Sequence, residues 1–379
     1  MKIRLPTTEG KSESYHLLGE PIAIRMPKAP FNRIAFAAAH VVADPLGSSQ
    51  ALDWDKTLEF RHYLLDQGFG IAEAMDTSQR GMGLDWASAL ELISRSLKSA
   101  GSDAPRIYSG CGTDHLNPSD ARSLDDVVKA YLEQLHAVQK LGGRVIMMAS
   151  RALVKVAKSP DDYVSAYTRV LREADHPVIL HWLGEMFDPA LKGYWGAQDF
   201  SSAMKTCLTA INNNVAKVDG IKISLLDADK EILLRRALPA GVKMYTGDDF
   251  NYPELIAGDE QGYSHALLGV FAAIAPAAAL ALSALAKGNT KKFNSILAPT
   301  VPLSRLIFQA PTQYYKTGIV FLAWLNGHQE HFIMVAGAQA SRPLPYFTEV
   351  FKLADQAGLL RDPELAVKRM KSLLALYGQ

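Results

Sequence analysis

A lysine flanked by two isoleucines is the residue of this sequence whose setting best favours chemistry. Lys222 lies in the run Val218–Ser224, which reads VDGIKIS. Side chains alternate across a β-strand, so Lys222 and Ser224 face one side and the two isoleucines face the other. If the isoleucines pack beneath helices, Lys222 points into an interior where burial lowers the pKa of its amine. A neutral amine can attack a carbonyl carbon and form an iminium, or Schiff base, which accepts the electrons of a breaking C–C bond.

The same position also has a structural interpretation. Lys222 could pair with an internal carboxylate such as Asp219 or Glu185, or it could extend to the rim of the fold. Lys243 is a competing lysine in the following strand, but it lies next to the start of that strand, where barrels keep structural residues. The residues alone therefore leave both interpretations of Lys222 open.

Short apolar runs alternate with longer amphipathic stretches along most of the chain, and they predict the elements that must position Lys222. The predicted strands span residues 33–39, 68–74, 105–110, 144–149, 177–182, 218–224, 242–246 and 263–270. Helical patterns separate them, and several open on good N-caps such as Asp85 and Ser159. Eight such units predict an α/β fold, specifically a (β/α)8 TIM barrel, with an open parallel sheet as the alternative.

The chain on either side of the eight units predicts two additions to the barrel. Residues 1–32 are expected to form an N-terminal arm or hairpin that closes one barrel end. Residues 33–290 are expected to form the barrel itself. The helical patterns of residues 291–379 predict a C-terminal helical appendage.

Catalytic groups in TIM barrels come from the C-terminal ends of the strands and from the loops that follow. That rule selects the polar residues near the ends of the predicted strands as candidates. They are His40, Asp44, Asp76, Thr77, Ser78, Asp114, His115, Arg151, His181, Glu185, Lys222, Ser224, Tyr245, Asp248, Asp249, Ser264 and His265.

Three ordered motifs resemble the dihydrodipicolinate synthase / N-acetylneuraminate lyase family. They are GIKIS at residues 220–224, YTGDD at 245–249 and GYS at 262–264. In that family the sixth strand carries the Schiff-base lysine in a Gly-x-Lys context, and a Gly-Asp-Asp-like turn ends the seventh. A Tyr-Lys pair at 315–316 and SRPLP at 341–345 are similar to the family's helical tail. The resemblance covers residues 30–365 and implies a class I aldolase-like barrel in which Lys222 forms the Schiff base.

Two motifs depart from the family pattern and mark this chain as a divergent branch. The second strand of the family ends in Gly-Thr-Thr-Gly-Glu, which holds the carboxylate of pyruvate, but residues 75–79 here read MDTSQ. Asp76 would repel a carboxylate and suits hydroxyl groups, so a sugar-derived keto compound is the preferred substrate class. The family's proton-relaying tyrosine on the fifth strand is replaced by His181, and histidine can do the same acid–base work near neutral pH.

The predicted function is therefore that of a Schiff-base-forming lyase or aldolase, which cleaves or forms a C–C bond in a keto acid or a sugar-derived keto compound. Lys222 is the predicted nucleophile, and His181 shuttles protons, with Tyr245 as a weaker candidate. Either of Asp248 and Asp249 could instead cap a turn. The predicted substrate-binding residues are Asp76, Thr77, Ser78, Glu185, Ser224, Asp249 and Ser264.

Two other functions stay open from the sequence. One is a metal-dependent barrel enzyme, such as a sugar isomerase or a metal-dependent aldolase. Its oxygen and imidazole ligands would come from Glu73, Asp76, Asp114, His115, His181 and Glu185. No histidine or cysteine spacing typical of zinc occurs, so no metal is predicted. The other is a ligand-binding barrel without catalysis. Neither a Gly-x-Gly-x-x-Gly motif nor a P-loop is present, so no cofactor is expected.

The composition excludes several classes of partner. The chain has 40 basic and 39 acidic residues, so no charge excess favours nucleic acid or a membrane surface. Its two cysteines, Cys111 and Cys207, are far apart, which is typical of the cytoplasm. The uncharged run 266–286 is long enough to cross a bilayer, but Pro276 interrupts it and a buried strand and helix are expected. The resemblance implies a homo-oligomer, either a dimer or a tetramer.

Overall fold

Eight parallel strands form a closed barrel in the part of the chain that the computed structural model describes, which comprises residues 1–7, 10–23, 30–48 and 50–379. An N-terminal antiparallel hairpin of two strands precedes the barrel. In chain order the strands are β1 Lys2–Pro6, β2 Ser12–His16, β3 Ala35–Ala38, β4 Gly70–Glu73, β5 Ile107–Cys111, β6 Arg144–Met147, β7 Val178–Leu183, β8 Val218–Ser224, β9 Lys243–Thr246 and β10 His265–Leu268. Strands β3 to β10 follow one another around the barrel, and β10 closes it by pairing with β3. The predicted TIM barrel is confirmed.

Helices surround the barrel and continue beyond it. They are α1 Trp54–Asp66, α2 Trp86–Ala100, α3 Leu124–Lys140, α4 Arg151–Val156, α5 Pro160–Arg172, α6 Phe200–Asn212, α7 Ala228–Ala237, α8 Tyr252–Ala257, α9 Phe271–Ala286, α10 Thr290–Leu297, α11 Thr300–Ile307, α12 Tyr315–Leu325, α13 Leu344–Gln356 and α14 Pro363–Leu376. The side chain of Asp85 caps α2 by accepting the N–H of Ser88, and Ser159 forms a capping box with Asp162 at the start of α5. Both predicted N-caps therefore begin helices.

The alternation of side chains along the strands separates two cores. Ile221 and Ile223 pack outward into the large core between the barrel and its helices. A smaller core fills the barrel interior and includes Phe36, Tyr108 and Tyr245. Because these aromatic side chains fill the interior, the barrel is a packed core with its open end at the strand C-termini, as in other barrels of this type.

The uncharged run 266–286 forms β10 and α9, and both are mostly buried. In the described part of the chain, no helix is long and apolar enough to cross a membrane. Helix α12 is buried along its whole length and contacts α9, α13, α14 and the short 3-10 helix Asp76–Ser78. The C-terminal helices therefore reach the open end of the barrel. The predicted domain boundaries at residues 32 and 290 stay predictions.

The N-terminal hairpin packs on the C-terminal helices. Ile3 and Leu5 of β1 are buried, and β1 lies against α13. The hydroxyl of Tyr15 donates to Oδ2 of Asp355 on α13 at 2.8 Å, and the N–H of Leu18 donates to the same oxygen at 2.7 Å. Strand β1 therefore packs on α13, and the expectation that the N-terminal arm closes a barrel end stays a prediction. Residues 24–29 of the predicted arm lie outside the described residues.

Candidate active site

Lys222 projects into the barrel from β8, and its aliphatic chain passes over Gly247. A Cβ at Gly247 would lie 2.6 Å from Cε of Lys222 and 2.2 Å from Oγ of Ser224, so no larger residue fits there without displacing them. The Lys222 side chain is buried, and its amine makes no hydrogen bond or ion pair with any described residue. Burial is the main influence on the pKa of Lys222 and lowers it, while the charges of Asp249 and Asp76 act to raise it.

The carboxylates that could have neutralised Lys222 directly are engaged or distant. Asp219 lies near the N-terminal end of β8. Its carboxylate accepts hydrogen bonds from the ammonium of Lys243 at 2.7 Å and from the hydroxyl of Tyr245 at 2.6 Å. Glu185 is exposed beyond the end of β7. The structural interpretation of Lys222 as the partner of Asp219 or Glu185 is therefore contradicted, and Lys243 is the lysine with the structural ion pair.

His181 lies beside Lys222 in the neighbouring strand. The two residues are partners in the β7–β8 ladder, so their side chains point to the same side of the sheet. Nε2 of His181 lies 3.3 Å from Oγ of Ser224. Burial lowers the pKa of His181 well below its usual value, and the charge of Lys222 lowers it further. His181 is therefore neutral at neutral pH and can accept a proton.

The turn after β4 brings a carboxylate and a hydroxyl to the same end of the barrel. The Asp76 carboxylate lines a cavity together with His181 and makes no hydrogen bond to a described residue. Oγ1 of Thr77 lies 2.7 Å from the hydroxyl of Tyr315. Ser78 is fully buried and donates its hydroxyl to the carbonyl of Ala39. Asp76 therefore lines the cavity, Thr77 contacts Tyr315 behind it, and Ser78 holds the turn to the end of β3.

Tyr315, the first residue of α12, is a site residue that sequence reasoning did not select. Its ring stacks on Phe308, with 4.4 Å between centroids and 15° between planes, and lies against Gly269 after β10. Burial raises the pKa of Tyr315 well above its usual value, and the negative charges of Asp76 and Asp249 raise it further. The Tyr315 hydroxyl therefore stays protonated in the same electrostatic environment as Lys222.

Lys316 follows Tyr315 and is a second buried lysine near Asp76. Its Nζ donates to the carbonyl of Gln313 at 2.8 Å. Burial lowers the pKa of Lys316 to about 8, although the charge of Asp76 opposes that shift. The sequence showed only a Tyr-Lys pair before an apolar helix. Nothing local indicates that this helix lies over the turn that carries Asp76.

The two aspartates after β9 have different roles. Asp248 caps the turn, because its Oδ1 accepts the N–H groups of Phe250 and Asn251. Oδ1 of Asp249 accepts the N–H of Val270 at 2.9 Å. Burial raises the pKa of Asp249 to about 7, while that hydrogen bond and the charge of Lys222 lower it. Asp249 is therefore the aspartate that acts on Lys222, and Asp248 is the turn cap.

A cavity of about 190 Å³ opens at the C-terminal ends of β4 to β7. The charged side chains that line it are Asp76, Arg80, Asp114, Arg151 and Asp188, and His181 lies in its wall. A larger cavity of about 640 Å³ opens at the opposite end of the barrel, where Arg33, Gly70 and Arg106 line it. Asp76 and His181 line the smaller cavity, and Lys222 is the neighbour of His181 in the β7–β8 ladder, so the smaller cavity is the candidate active site.

The structure contradicts the prediction that Tyr245 transfers protons at the site. Its ring packs over Gly220, where a Cβ would lie 2.6 Å from Cε2 of the tyrosine. Its hydroxyl donates to Asp219 near the N-terminal end of β8. The side chain lies inside the barrel, and the absence of a side chain at Gly220 lets the ring turn towards the N-terminal end of the strands.

Two further predicted substrate-binding residues lie outside the cavity. Ser264 precedes β10, at the N-terminal end of the strand, and its hydroxyl donates to the buried carboxylate of Glu231 at 2.7 Å. Ser264 is the second residue of the predicted strand 263–270, so it belonged to the N-terminal end of the barrel in the prediction as well, and its selection as a substrate-binding residue did not follow from the strand-end rule. Glu185 is exposed and lines a different cleft with Trp182 and Lys230. Lys222, His181, Asp76, Thr77, Ser224 and Asp249 are the predicted residues that the structure brings together.

Two of the six candidate ligands of the metal-dependent alternative, Glu73 and Asp114, are engaged by arginines. Glu73 accepts two hydrogen bonds of 2.9 Å from the buried Arg61. Arg80 binds both carboxylate oxygens of Asp114, at 3.0 and 2.8 Å. In the described part of the chain, no group of three or more His, Cys, Asp and Glu side chains is placed to hold a metal ion.

The fold and the lysine position define a (β/α)8 barrel of the dihydrodipicolinate synthase type. A monomeric dihydrodipicolinate synthase variant has a TM-score of 0.65 and 17% identity, over 88% of this chain and 100% of that chain. YagE, a prophage protein of the dihydrodipicolinic acid synthase family from E. coli K12, solved with pyruvate, has a TM-score of 0.68 and 13% identity, over 86% and 99% of the two chains. The 4-hydroxy-tetrahydrodipicolinate synthase of Methylacidiphilum fumariolicum SolV has a TM-score of 0.66 and 12% identity, over 89% and 99%. This likeness confirms the fold that the sequence resemblance implied.

The chain belongs to the family described as "Protein of unknown function (DUF993)", whose model matches residues 3–379. No curated protein matches this sequence. The activity is therefore inferred below from the chemistry of the site.

Proposed function

We propose that this protein is a class I aldolase-like lyase that forms a Schiff base between Lys222 and a small keto compound. The observation that carries the proposal is the amine of Lys222, which is buried without a direct ion pair at the end of the barrel where such folds hold catalytic groups. Burial favours the neutral amine, which is the nucleophilic form. The fold likeness supports the same chemistry, because the similar YagE structure was solved with pyruvate, a keto acid.

In the proposed first step the lone pair of Nζ attacks the carbonyl carbon. The carbonyl oxygen becomes the hydroxyl of a carbinolamine, gains a further proton and leaves as water, and an iminium remains on Lys222. Tyr315 supplies that proton, since its hydroxyl stays protonated and is hydrogen-bonded to Thr77. The negative charge of Asp249 stabilises the positive iminium nitrogen.

In the proposed second step the iminium accepts the electrons of the C–C bond next to its α-carbon. A hydroxyl on the far carbon loses its proton to His181 and becomes an aldehyde carbonyl as the bond breaks. His181 is suited to this role because it is neutral and adjacent to Lys222. The resulting enamine is protonated, and water releases the product and restores the amine. The same steps in reverse form a C–C bond.

Reductive trapping tests this proposal directly. The full chain is incubated with a panel of keto acids and keto sugars in the presence of cyanoborohydride, which adds hydride to an iminium carbon. Peptide mass spectrometry is expected to locate the adduct on Lys222 and to find none in Lys222→Ala. Lys243→Arg is the matched control, since Lys243 lies on the adjacent strand in an ion pair with Asp219.

The outcomes separate the possible functions. A ketone that turns over while Lys222 stays unmodified would exclude the Schiff base. If turnover is also lost with a chelator, a metal-dependent enzyme is indicated. An adduct on Lys222 with no cleavage or condensation product would identify a ligand-binding barrel.

A further inference from the structure

The charges of the side chains that line the candidate active site do not sum to zero. Three aspartates and two arginines line the cavity. Arg80 forms a two-fold hydrogen-bonded pair with Asp114, and Arg151 donates to Asp188 at 2.6 Å. Each arginine is thus matched by a carboxylate. Of the five charged side chains that line the cavity, Asp76 is the one without an ion-pair partner among the described residues.

The Asp76 carboxylate is also free of hydrogen bonds from the described residues. Lys316 is a nearby cation whose pKa the charge of Asp76 acts to raise, but its Nζ donates to the carbonyl of Gln313 and forms no direct hydrogen bond or ion pair with Asp76. Lys222 must be neutral to attack, and its later iminium has Asp249 as the carboxylate with the larger effect. The lone pairs of Asp76 therefore face the ligand and require hydrogen-bond donors.

This arrangement discriminates between two kinds of ketone. A 2-keto acid carries a carboxylate on the carbon next to its carbonyl, and that charge would lie close to Asp76 and be repelled. A ketone with a hydroxymethyl group at the same position presents an O–H that donates to Asp76. The cavity that Asp76 and His181 line has a volume of about 190 Å³, and Lys222 is the ladder neighbour of His181, so the site accommodates a small molecule.

We infer that the substrate is a short, uncharged polyhydroxylated ketone, whose carbonyl reacts at Lys222 while its neighbouring hydroxyl donates to Asp76. A 2-keto acid is excluded by the same carboxylate. This inference rests on the proposed Schiff-base function and names its substrate class.

A comparison of the rates at which two small ketones react with Lys222 tests the inference. Dihydroxyacetone and pyruvate have the same number of carbons, and pyruvate carries a carboxylate where dihydroxyacetone carries a hydroxymethyl group. Each is incubated separately with the full chain and cyanoborohydride, and the initial rate of adduct formation on Lys222 is measured by peptide mass spectrometry. The readout is the ratio of the two rates, which cancels any general effect of a substitution on the amine.

Wild-type protein is expected to favour dihydroxyacetone, and Asp76→Asn is expected to lower the ratio about tenfold. That change corresponds to about 1.4 kcal/mol, the difference between a hydrogen bond to a charged acceptor and one to a neutral amide. Glu185→Gln is the matched control, because it removes an exposed carboxylate at the same barrel end that lies outside the cavity. Its ratio is expected to equal that of wild type.

Each other outcome overturns a specific statement. If pyruvate reacts as fast as dihydroxyacetone in wild type, or if Asp76→Asn leaves the ratio unchanged, the substrate class is wrong while the Schiff base stands. If neither probe modifies Lys222 in folded protein, the proposed function fails and this inference fails with it. Circular dichroism and thermal melting of the variant confirm that the comparison is made between folded proteins.

Discussion

The charge of Asp249 opposes the neutral state of Lys222, so its removal should make the amine more reactive at the pH values where Asp249 is ionised. Oδ1 of Asp249 accepts the N–H of Val270 at 2.9 Å, and asparagine can keep that hydrogen bond through its own Oδ1. The carboxylate raises the pKa of Lys222 against the larger effect of burial. The substitution Asp249→Asn should therefore lower the pKa of Lys222 further while it preserves the local hydrogen bonding.

The decrease in the pKa of Lys222 that Asp249→Asn can cause has an upper bound. Lys222 and Asp249 form no direct ion pair, so their charged atoms are more than 4.0 Å apart. Two unit charges at about 4 Å interact by about 4 kcal/mol at an effective dielectric constant of about 20, and one pKa unit is about 1.36 kcal/mol. The pKa of Lys222 should therefore fall in Asp249→Asn, by no more than this interaction energy allows. The effect is greatest above pH 7, since the pKa of Asp249 is itself about 7 and its charge is complete only at higher pH.

The assay is the pH dependence of adduct formation on Lys222 with cyanoborohydride, normalised to a lysine model amine under the same conditions. The midpoint of the profile should move to lower pH in Asp249→Asn. Asp248→Asn is the control, because that residue caps the turn through the N–H groups of Phe250 and Asn251. An Asp249→Asn midpoint that stays in place or moves to higher pH would refute the electrostatic account of the lysine.

Three further predictions concern other residues of the fold. Tyr315→Phe should slow adduct formation by about 100-fold, because the proton donor beside Thr77 is lost, and an unchanged rate would remove this tyrosine from the mechanism. Gly247→Ala places a Cβ 2.6 Å from Cε of Lys222, so it should lower the free energy of unfolding by about 1–3 kcal/mol and also slow adduct formation on Lys222. Calorimetry measures the first effect and reductive trapping the second. Wild-type values in both measurements would contradict the close packing. Burial raises the pKa of Glu231 to about 8, above that of an unfolded glutamate, so its contribution to stability is complete at low pH and is lost as the pH rises through 8. The melting temperature of Glu231→Gln relative to wild type should therefore increase from pH 5 to pH 9, and a constant difference would disagree with this sign.

The sequence determined the barrel and its central lysine because both depend on local periodicity. Eight short apolar runs separated by helical patterns predicted the closed parallel barrel that the structure shows. The two-residue alternation around Lys222 predicted which side chains of β8 face inward, since a strand has only two faces. His181 was selected because it replaces the family's tyrosine on the fifth strand, and only the pairing of β7 with β8 placed it beside Lys222.

The tertiary structure alone decided the other members of the site. Tyr315 lies 2.7 Å from Thr77 although the two are far apart in the chain, because α12 is buried over the open end of the barrel. Tyr245 lies inside the barrel, and the space left by Gly220 lets its ring turn towards the N-terminal end of the strands. Ser264 lies just before β10, where its hydroxyl donates to Glu231. Local patterns state which face a residue takes, whereas the direction of a long side chain and the contacts of a distant helix depend on packing between elements.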